Sequence, residues 1–418
     1  MSMSSTNISH RRDTATSSRR NEGGPAWRAA VAGLCASLVG LGLARFAYTP
    51  LIPALIANKW FSPADAVYLG AANLAGYLAG ALVARELGAR LGAVRTLRIM
   101  MILATLCCFA CSTPVSLVWF FAWRFLAGLT GGVIMVLAAS TILPHIAPNQ
   151  RGAIGGVIFA GVGLGVAASG TLVPLLLQQG LRQSWYGLGA LSALLTLASW
   201  KAWPVDAPVT AHLPSAHAVS HHRSPTVLRL LSLEYGLNAL ALVPHMIFLV
   251  DFVARGLGQG ITAGSHYWVL YGLGATIGPL LTGHLADRSG FGPALRVAFL
   301  IEAIAILLPA LSSTPVVMIV SSVVVGGFTP GIVPLVLGRI HELLPHNDAG
   351  QRAAWAQATT VFASFQAAGA YGLSYLFQRT GGDYTILFVI GASAVTAALG
   401  IDLITAVTIG RGRKPHGS

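Results

Sequence analysis

The sequence predicts an all-α membrane protein with twelve transmembrane helices in two pseudo-symmetric six-helix bundles. Three observations carry this expectation. Only 9% of the 418 residues are charged and 55% are hydrophobic, whereas a soluble domain carries about 25% charged residues; the mean hydropathy is +0.70. Apolar runs of about 20 residues, the length that crosses a ~30 Å hydrocarbon core, recur along the chain. One long polar interruption divides these runs six from six. A soluble enzyme and a disordered chain are excluded by the same figures, and the 48 Gly and 21 Pro fit a membrane interior, where both residues are commoner than in soluble helices.

In chain order, residues 1–27 are rich in Ser, Thr and Arg and read as a disordered cytoplasmic tail. Arg11-Arg12 resembles the start of a twin-arginine export signal, but the apolar segment follows too late and is too long for a cleaved signal peptide. The N-terminal bundle, 28–203, is expected to hold spans at 28–56, 64–87, 95–112, 115–144, 152–179 and 184–203. A cytoplasmic linker follows at 204–226, with Pro204, Pro208, Pro214 and Pro225. Its His212, His217, His221 and His222 read as a solvated tract; metal binding is the alternative, a compositional signal without fixed geometry. The C-terminal bundle, 227–409, is expected to hold spans at 227–253, 263–286, 294–312, 315–340, 353–378 and 384–409, and 410–418 forms a cytoplasmic tail.

An even number of spans puts both termini on one side. Of the 26 Lys and Arg, 20 fall on the side of the termini, four (Lys59, Arg182, Arg255, Arg379) on the other and two (Arg45, Arg124) within spans. Cytoplasmic loops are enriched in these residues, so both termini are expected in the cytoplasm and the protein in the cytoplasmic (inner) membrane. The net charge of +13 is dispersed between apolar runs, unlike the clustered basic face of a nucleic-acid binder. The four cysteines lie inside apolar runs and read as small hydrophobes. Cys108 and Cys111 spell C-x-x-C but lack the polar access and further ligands of a redox or zinc site.

The two halves also resemble each other. A shift of 203 residues aligns Tyr68 with Tyr271, Leu74 with Ile277, Gly80 with Gly283 and Arg85 with Arg288. Parallel six-span repeats describe transporters that rock one half against the other around a central site. The segment Gly283-His-Leu-Ala-Asp287-Arg288-Ser-Gly290 is similar to the G-x-x-x-D-R-x-G loop motif of the major facilitator superfamily. Gly80-Ala-Leu-Val-Ala84-Arg85-Glu-Leu-Gly88 is a weaker copy after span two, with Ala84 at the acid position and the second Gly one residue late. Arg124-Phe-Leu-Ala-Gly128 resembles the superfamily's R-x-x-x-G in span four, and the segment from Gly40 through Arg45, Tyr48 and Pro50 to Pro53 looks like the signature of its uncharacterised YbfB/YjiJ-type branch. The resemblance implies a secondary transporter working by alternating access. Gly80, Arg85, Gly88, Gly283, Asp287, Arg288 and Gly290 are then gating loops that brace one conformation, and the span-four Arg is tied to proton coupling.

The candidate pathway residues start with Arg45, about 21 Å into span one. A central Arg costs about 2.5–3.5 kcal/mol to insert, so it faces a polar cavity or a partner: it binds an anionic group, holds a carboxylate, or locks helices. Tyr48 and Thr49 share its face, and Pro50 and Pro53 can kink the helix beside it. Arg124 brings a second cation to similar depth from another helix, either for the same chemistry or to bond nearby carbonyls. Intramembrane acids are functional candidates by default. Glu234 leads as the protonation site because the superfamily places span seven around the cavity; Glu302 and Asp402, in peripheral spans, read as packing or lipid-edge features, and Asp251 as a solvated boundary residue.

Gln357, Thr360, Ser364, Tyr371 and Tyr375 share one face of span eleven, with Gln366 on another face as a ligand contact or an interhelical bond. Asn73, Tyr77, Asn238, His245 and Tyr271 complete the set; any of them can instead join helices, at about 0.6 kcal/mol per bond. Gly76/Gly80, Gly128/Gly132, Gly161/Gly165 and Gly327/Gly331 read as packing surfaces. No Walker-type G-x-x-x-x-G-K-[ST] is present. The expected function is transport of a small, anionic solute coupled to protons by a lipid-embedded monomer, without cofactor or metal and not as an enzyme. A multidrug or metabolite efflux antiporter and a solute sensor that moves nothing are the alternatives.

Overall fold

The computed structural model describes residues 23–146, 151–204, 225–345 and 347–411. The four linker histidines and nearly all of the expected linker and tails lie outside them. Among the described residues the chain forms no strand, and twelve long helical stretches follow one another. These are α1 (Trp27–Ala57), α2 (Pro63–Leu91), α3 (Ala93–Ala110), α4 (Leu117–Ile142), α5 (Arg151–Leu177) and α6 (Leu181–Ser199). After the linker come α7 (Thr226–Gly256), α8 (Gly260–Ser289), α9 (Phe291–Leu311), α10 (Pro315–Leu343), α11 (Asp348–Arg379) and α12 (Tyr384–Arg411).

Ten of these are long and apolar enough to cross a membrane; α6 and α11 fall short. The shortfall has a residue-level cause: α11 carries Gln357, Thr359, Thr360, Ser364, Gln366 and Ser374, and the short α6 opens on Arg182-Gln183-Ser184. The surface is apolar, with Val118, Leu197, Leu311, Val316 and Ile404 all more than half exposed. A bilayer, not water, suits such a surface.

Helices α2 and α4 cross at glycines. A Cβ on Gly76 would overlap the Phe125 carbonyl, and one on Gly128 the Asn73 carbonyl, so backbones meet as small-residue spacing predicts. The sequence framing of the first gating loop needs correction. Gly80, Arg85 and Gly88 lie inside α2, with Gly80 against the Leu129 backbone and Gly88 against Leu137. The chain turns at Gly92 (φ 86°), just as α8 turns into α9 at Gly290 (φ 80°). Arg90 and Gly92 therefore stand where Arg288 and Gly290 stand in the second half, a shift of 198 residues and not 203. Gly283, Asp287 and Arg288 occupy the last two turns of α8, and both charged residues are exposed.

Helices before and after the linker meet along α2 with α11, α5 with α8, and α1 with α7 and α8. The contacts crossing between them gather toward the end that carries the α1–α2 turn. Trp268 Nε1 donates to Ser169 Oγ (3.0 Å), Thr49 Oγ1 donates to the Met246 carbonyl (2.6 Å), and the rings of Tyr68 and Tyr371 lie 6.3 Å apart. Toward the other end, the Cβ positions of Gly155 and Gly156 on α5 and Gly283 on α8 face open space. A cavity of about 600 Å³ at the joined end is lined by Ser62, Arg255, Gln378, Gly382 and Tyr384 among others.

Candidate functional site

The site is built on an irregular stretch of α1. Residues Leu38–Phe46 follow a π-helical path, and Ala47 N donates to Gly42 O (3.1 Å) in that wider register. Such turns occur often at functional sites. Here the local sequence permits one: Gly42 lies Cα-to-backbone against Gly165 of α5, where no side chain fits. Continued in the same register, the donor to the Arg45 carbonyl would be Pro50, which has no N–H. Arg124 supplies side-chain donors at this level. Its Nη1 donates to Ala44 O (2.8 Å) and its Nη2 to Arg45 O (3.4 Å), while its guanidinium lies 4.2 Å from the centre of the Tyr48 ring. Asn73 Nδ2 then donates to Arg124 O (3.0 Å), fixing α2 to α4 at the same level. Of the two readings of Arg124, the carbonyl-bonding one describes its contacts.

Arg45 itself points elsewhere. Its side chain is 7% exposed, its Nη2 donates to Gln366 Oε1 (2.8 Å), and its guanidinium lies 4.5 Å from the Tyr77 ring centre and 5.0 Å from that of Phe46. Arg45 Nε is buried without an acceptor. Among the described residues, the ion pairs are Arg90–Glu86, Arg255–Asp251, Arg296–Asp402 and Arg339–Glu342. Neither Arg45 nor Arg124 thus has a carboxylate of the described residues within ion-pair distance. Cation–π contacts and a neutral amide compensate a buried guanidinium only in part. Gln366, on α11, also donates from Nε2 to Met246 Sδ (3.5 Å), so the amide spans α1, α7 and α11.

Beside the guanidinium groups lies a cavity of about 20 Å³, roughly one water molecule in size. Arg45, Thr49, Asn73, Arg124 and Met246 line it. On the far side, Trp268 stacks on Tyr271 (4.9 Å between ring centres) and meets Phe46 (6.1 Å). The Tyr271 hydroxyl is paired with Thr329 Oγ1 (2.5 Å). Arg45, Tyr48, Asn73, Tyr77, Arg124 and Gln366 thus converge, with Tyr271 joined to them through Trp268 and Phe46.

Other candidates fall outside this cluster. Thr360 lies about 9 Å along α11 from Gln366; it and Gln357 are exposed. Glu234 is buried with Oε2 unpartnered, and its charged neighbours are Asp402, Arg339 and Arg296. His245 Nε2 meets Ser321 Oγ (2.8 Å) and its ring packs on Phe388. Asn238 Nδ2 donates to Glu302 Oε2 (2.6 Å). Glu302 is not a lipid-edge residue: it is fully buried while Ile301 and Ile304 face outward. Nor is Asp251 a solvated one, since it is fully buried, bonded by Arg255 Nε (2.5 Å) and Nη2 (2.7 Å) and by the Tyr384 hydroxyl (2.6 Å). Met246 and Trp268 escaped the sequence reading because apolar residues in an apolar run give no signal.

Comparison with known proteins bears on this arrangement. The sequence profile of a family described as uncharacterised MFS-type transporter YbfB matches residues 37–403. No curated protein sequence matches the chain. A crystal structure of the nucleoside transporter NupG, carrying an aspartate-to-alanine substitution, is similar at a TM-score of 0.71, covering 90% of this chain and 99% of that chain at 14% identity. At that identity the likeness is one of fold.

Proposed function

Because the chain belongs to the family of uncharacterised MFS-type transporters described by YbfB, and is therefore a multi-pass membrane transporter, we propose that it carries a small organic anion by alternating access. The observation behind this reading is Arg45: a buried cation at the junction of the two halves whose hydrogen-bond partner is a neutral amide. A carboxylate or similar group forms a stronger, charge-assisted bond with a guanidinium than an amide does. The solute's anionic group takes the place of Gln366 Oε1, and Phe46, Tyr77, Trp268 and Tyr271 offer flat apolar walls to its carbon skeleton.

In this proposal all twelve helices span the cytoplasmic membrane as two six-helix bundles, with both termini in the cytoplasm. The chain acts as a lipid-embedded monomer and draws on a proton gradient, with Glu234 as one candidate carrier. The gathering of the cross-half contacts at the end of the α1–α2 turn supports entry from the opposite end, past Gln357 and Thr360, toward Arg45. Anion binding frees Gln366 from Arg45, loosening a tie that joins α1 to α11, and the halves then rock. The turns at Gly92 and Gly290, with Arg90, Asp287 and Arg288, brace the alternate state. Arg124 holds the irregular α1 in shape throughout.

A thermal-shift screen of organic anions and lipophilic cations on purified wild type and Arg45→Ala tests the reading. A ligand at about 100 times its Kd stabilises the folded state by ~2.7 kcal/mol. An anion that stabilises wild type and not Arg45→Ala supports it; stabilisation by lipophilic cations alone, equal in both proteins, overturns it.

A further inference from the structure

Glu302 and Asn238 present an unbalanced pair in the core of the second half. Asn238 Nδ2 donates to Glu302 Oε2 at 2.6 Å, and both residues are fully buried. The two remaining oxygens, Glu302 Oε1 and Asn238 Oδ1, are both buried without a hydrogen-bond partner. Among the described residues no Lys, Arg or His nitrogen pairs with Glu302. Two orphaned acceptors on one bonded pair share a single remedy, one added proton. A carboxylic acid has the O–H donor that a carboxylate lacks, and an amide facing an acid can close a ring of two reciprocal hydrogen bonds. An ionised carboxylate at this depth would be a buried charge without a counter-ion, the costly case in a membrane.

We propose that Glu302 and Asn238 form a proton-binding site, in which Glu302 Oε1 carries the proton and donates it to Asn238 Oδ1 while Asn238 Nδ2 donates to Oε2. The other titratable groups of the surrounding helices are held apart from this pair. From α8, Tyr271 is the titratable group near Glu302, and its hydroxyl is already paired with Thr329. From α7, His245 donates from Nε2 to Ser321 of α10, whose hydroxyl donates to the Ala305 carbonyl (2.7 Å), and its Nδ1 is buried without a partner, about 10 Å along α7 from Asn238. From α12, Asp402 is paired with Arg296, about 9 Å along α9 from Glu302. The site's part in coupling rests on the transporter reading above; its occupancy by a proton does not.

Infrared spectroscopy of the purified full-length protein, scanned from neutral to alkaline pH, reads the carbonyl stretch of a protonated carboxyl group. Wild type should show this band at neutral pH, Glu302→Gln should lose it, Asn238→Leu should shift it, and Glu86→Gln, at an exposed carboxylate paired with Arg90, should leave it unchanged. Carboxyl-¹³C-glutamate labelling of wild type provides a check that needs no variant, because a glutamate band must then move to lower frequency. A band that is missing at neutral pH, insensitive to the glutamate label, or unchanged in Glu302→Gln overturns the site. Solute flux in proteoliposomes is read separately. Flux with no such band refutes the proton site alone, and the expected band in a protein that moves no solute refutes the transporter reading while leaving the site standing.

Discussion

Replacing Gln366 with Met removes the amide that ties α11 to Arg45 while keeping the side chain's length. The bond lost is buried and charge-assisted, at 2.8 Å, a class that contributes about 1.5–3 kcal/mol. In the proposed alternating-access cycle water takes the amide's place when the halves part, so the lower figure applies. At 1.4 kcal/mol per tenfold, about 1.5 kcal/mol shifts the balance between joined and parted states roughly tenfold. Spin labels at Ala57 and Gln378, exposed positions near the joined end, report it by pulsed dipolar spectroscopy. The four native cysteines are buried and stay unlabelled. The ratio of long to short distances should rise about tenfold in Gln366→Met. The same variant should bind the anionic ligand more tightly, since its internal competitor is gone. Unchanged distances together with unchanged affinity would refute the idea that Gln366 holds the halves together through Arg45.

Further outcomes follow from other contacts. Gly128→Ala forces a Cβ into the Asn73 carbonyl and should destabilise the purified protein by about 1–3 kcal/mol, whereas Gly155→Ala, facing open space, should leave the melting temperature unchanged. Arg255→Gln strands the fully buried Asp251 and should cost about 3 kcal/mol; adding Asp251→Asn should recover most of it, measured as a double-mutant cycle in thermal unfolding. Arg124→Met deprives the Ala44 and Arg45 carbonyls of their side-chain donors, at about 1–3 kcal/mol for each buried group left unsatisfied, offset in part by removal of a buried charge. Thermal unfolding in detergent should therefore show a net loss, with Arg124→Lys intermediate.

Much of the architecture is written in the composition. The apolar runs mark the helices, ten of which are long and apolar enough to cross a membrane, and Arg45 and Arg124 stand out as charges inside such runs. Contacts between distant positions leave no such mark: Gln366 meets Arg45 across 321 residues, and a Gln on one face of a polar helix looks the same whether it binds a ligand or a neighbour. The π-helical stretch of α1 was equally hidden, since Gly40, Gly42, Pro50 and Pro53 flag irregularity but not its register. The repeat was visible yet misframed by five residues, because Gly80 and Gly88 serve helix packing while Gly92, in the positive-φ turn, has the place of Gly290. Glu302 read as peripheral because its helix lies far from the expected cavity, although intramembrane acids are candidates on cost alone.

The central claim is that this transporter moves an organic anion held by Arg45. Solid-supported-membrane electrophysiology on proteoliposomes, applying a panel of carboxylates to wild type and Arg45→Ala, tests it most directly. The account predicts a transient current for at least one carboxylate in wild type and its loss in Arg45→Ala. A carboxylate current of equal size in both proteins would contradict it.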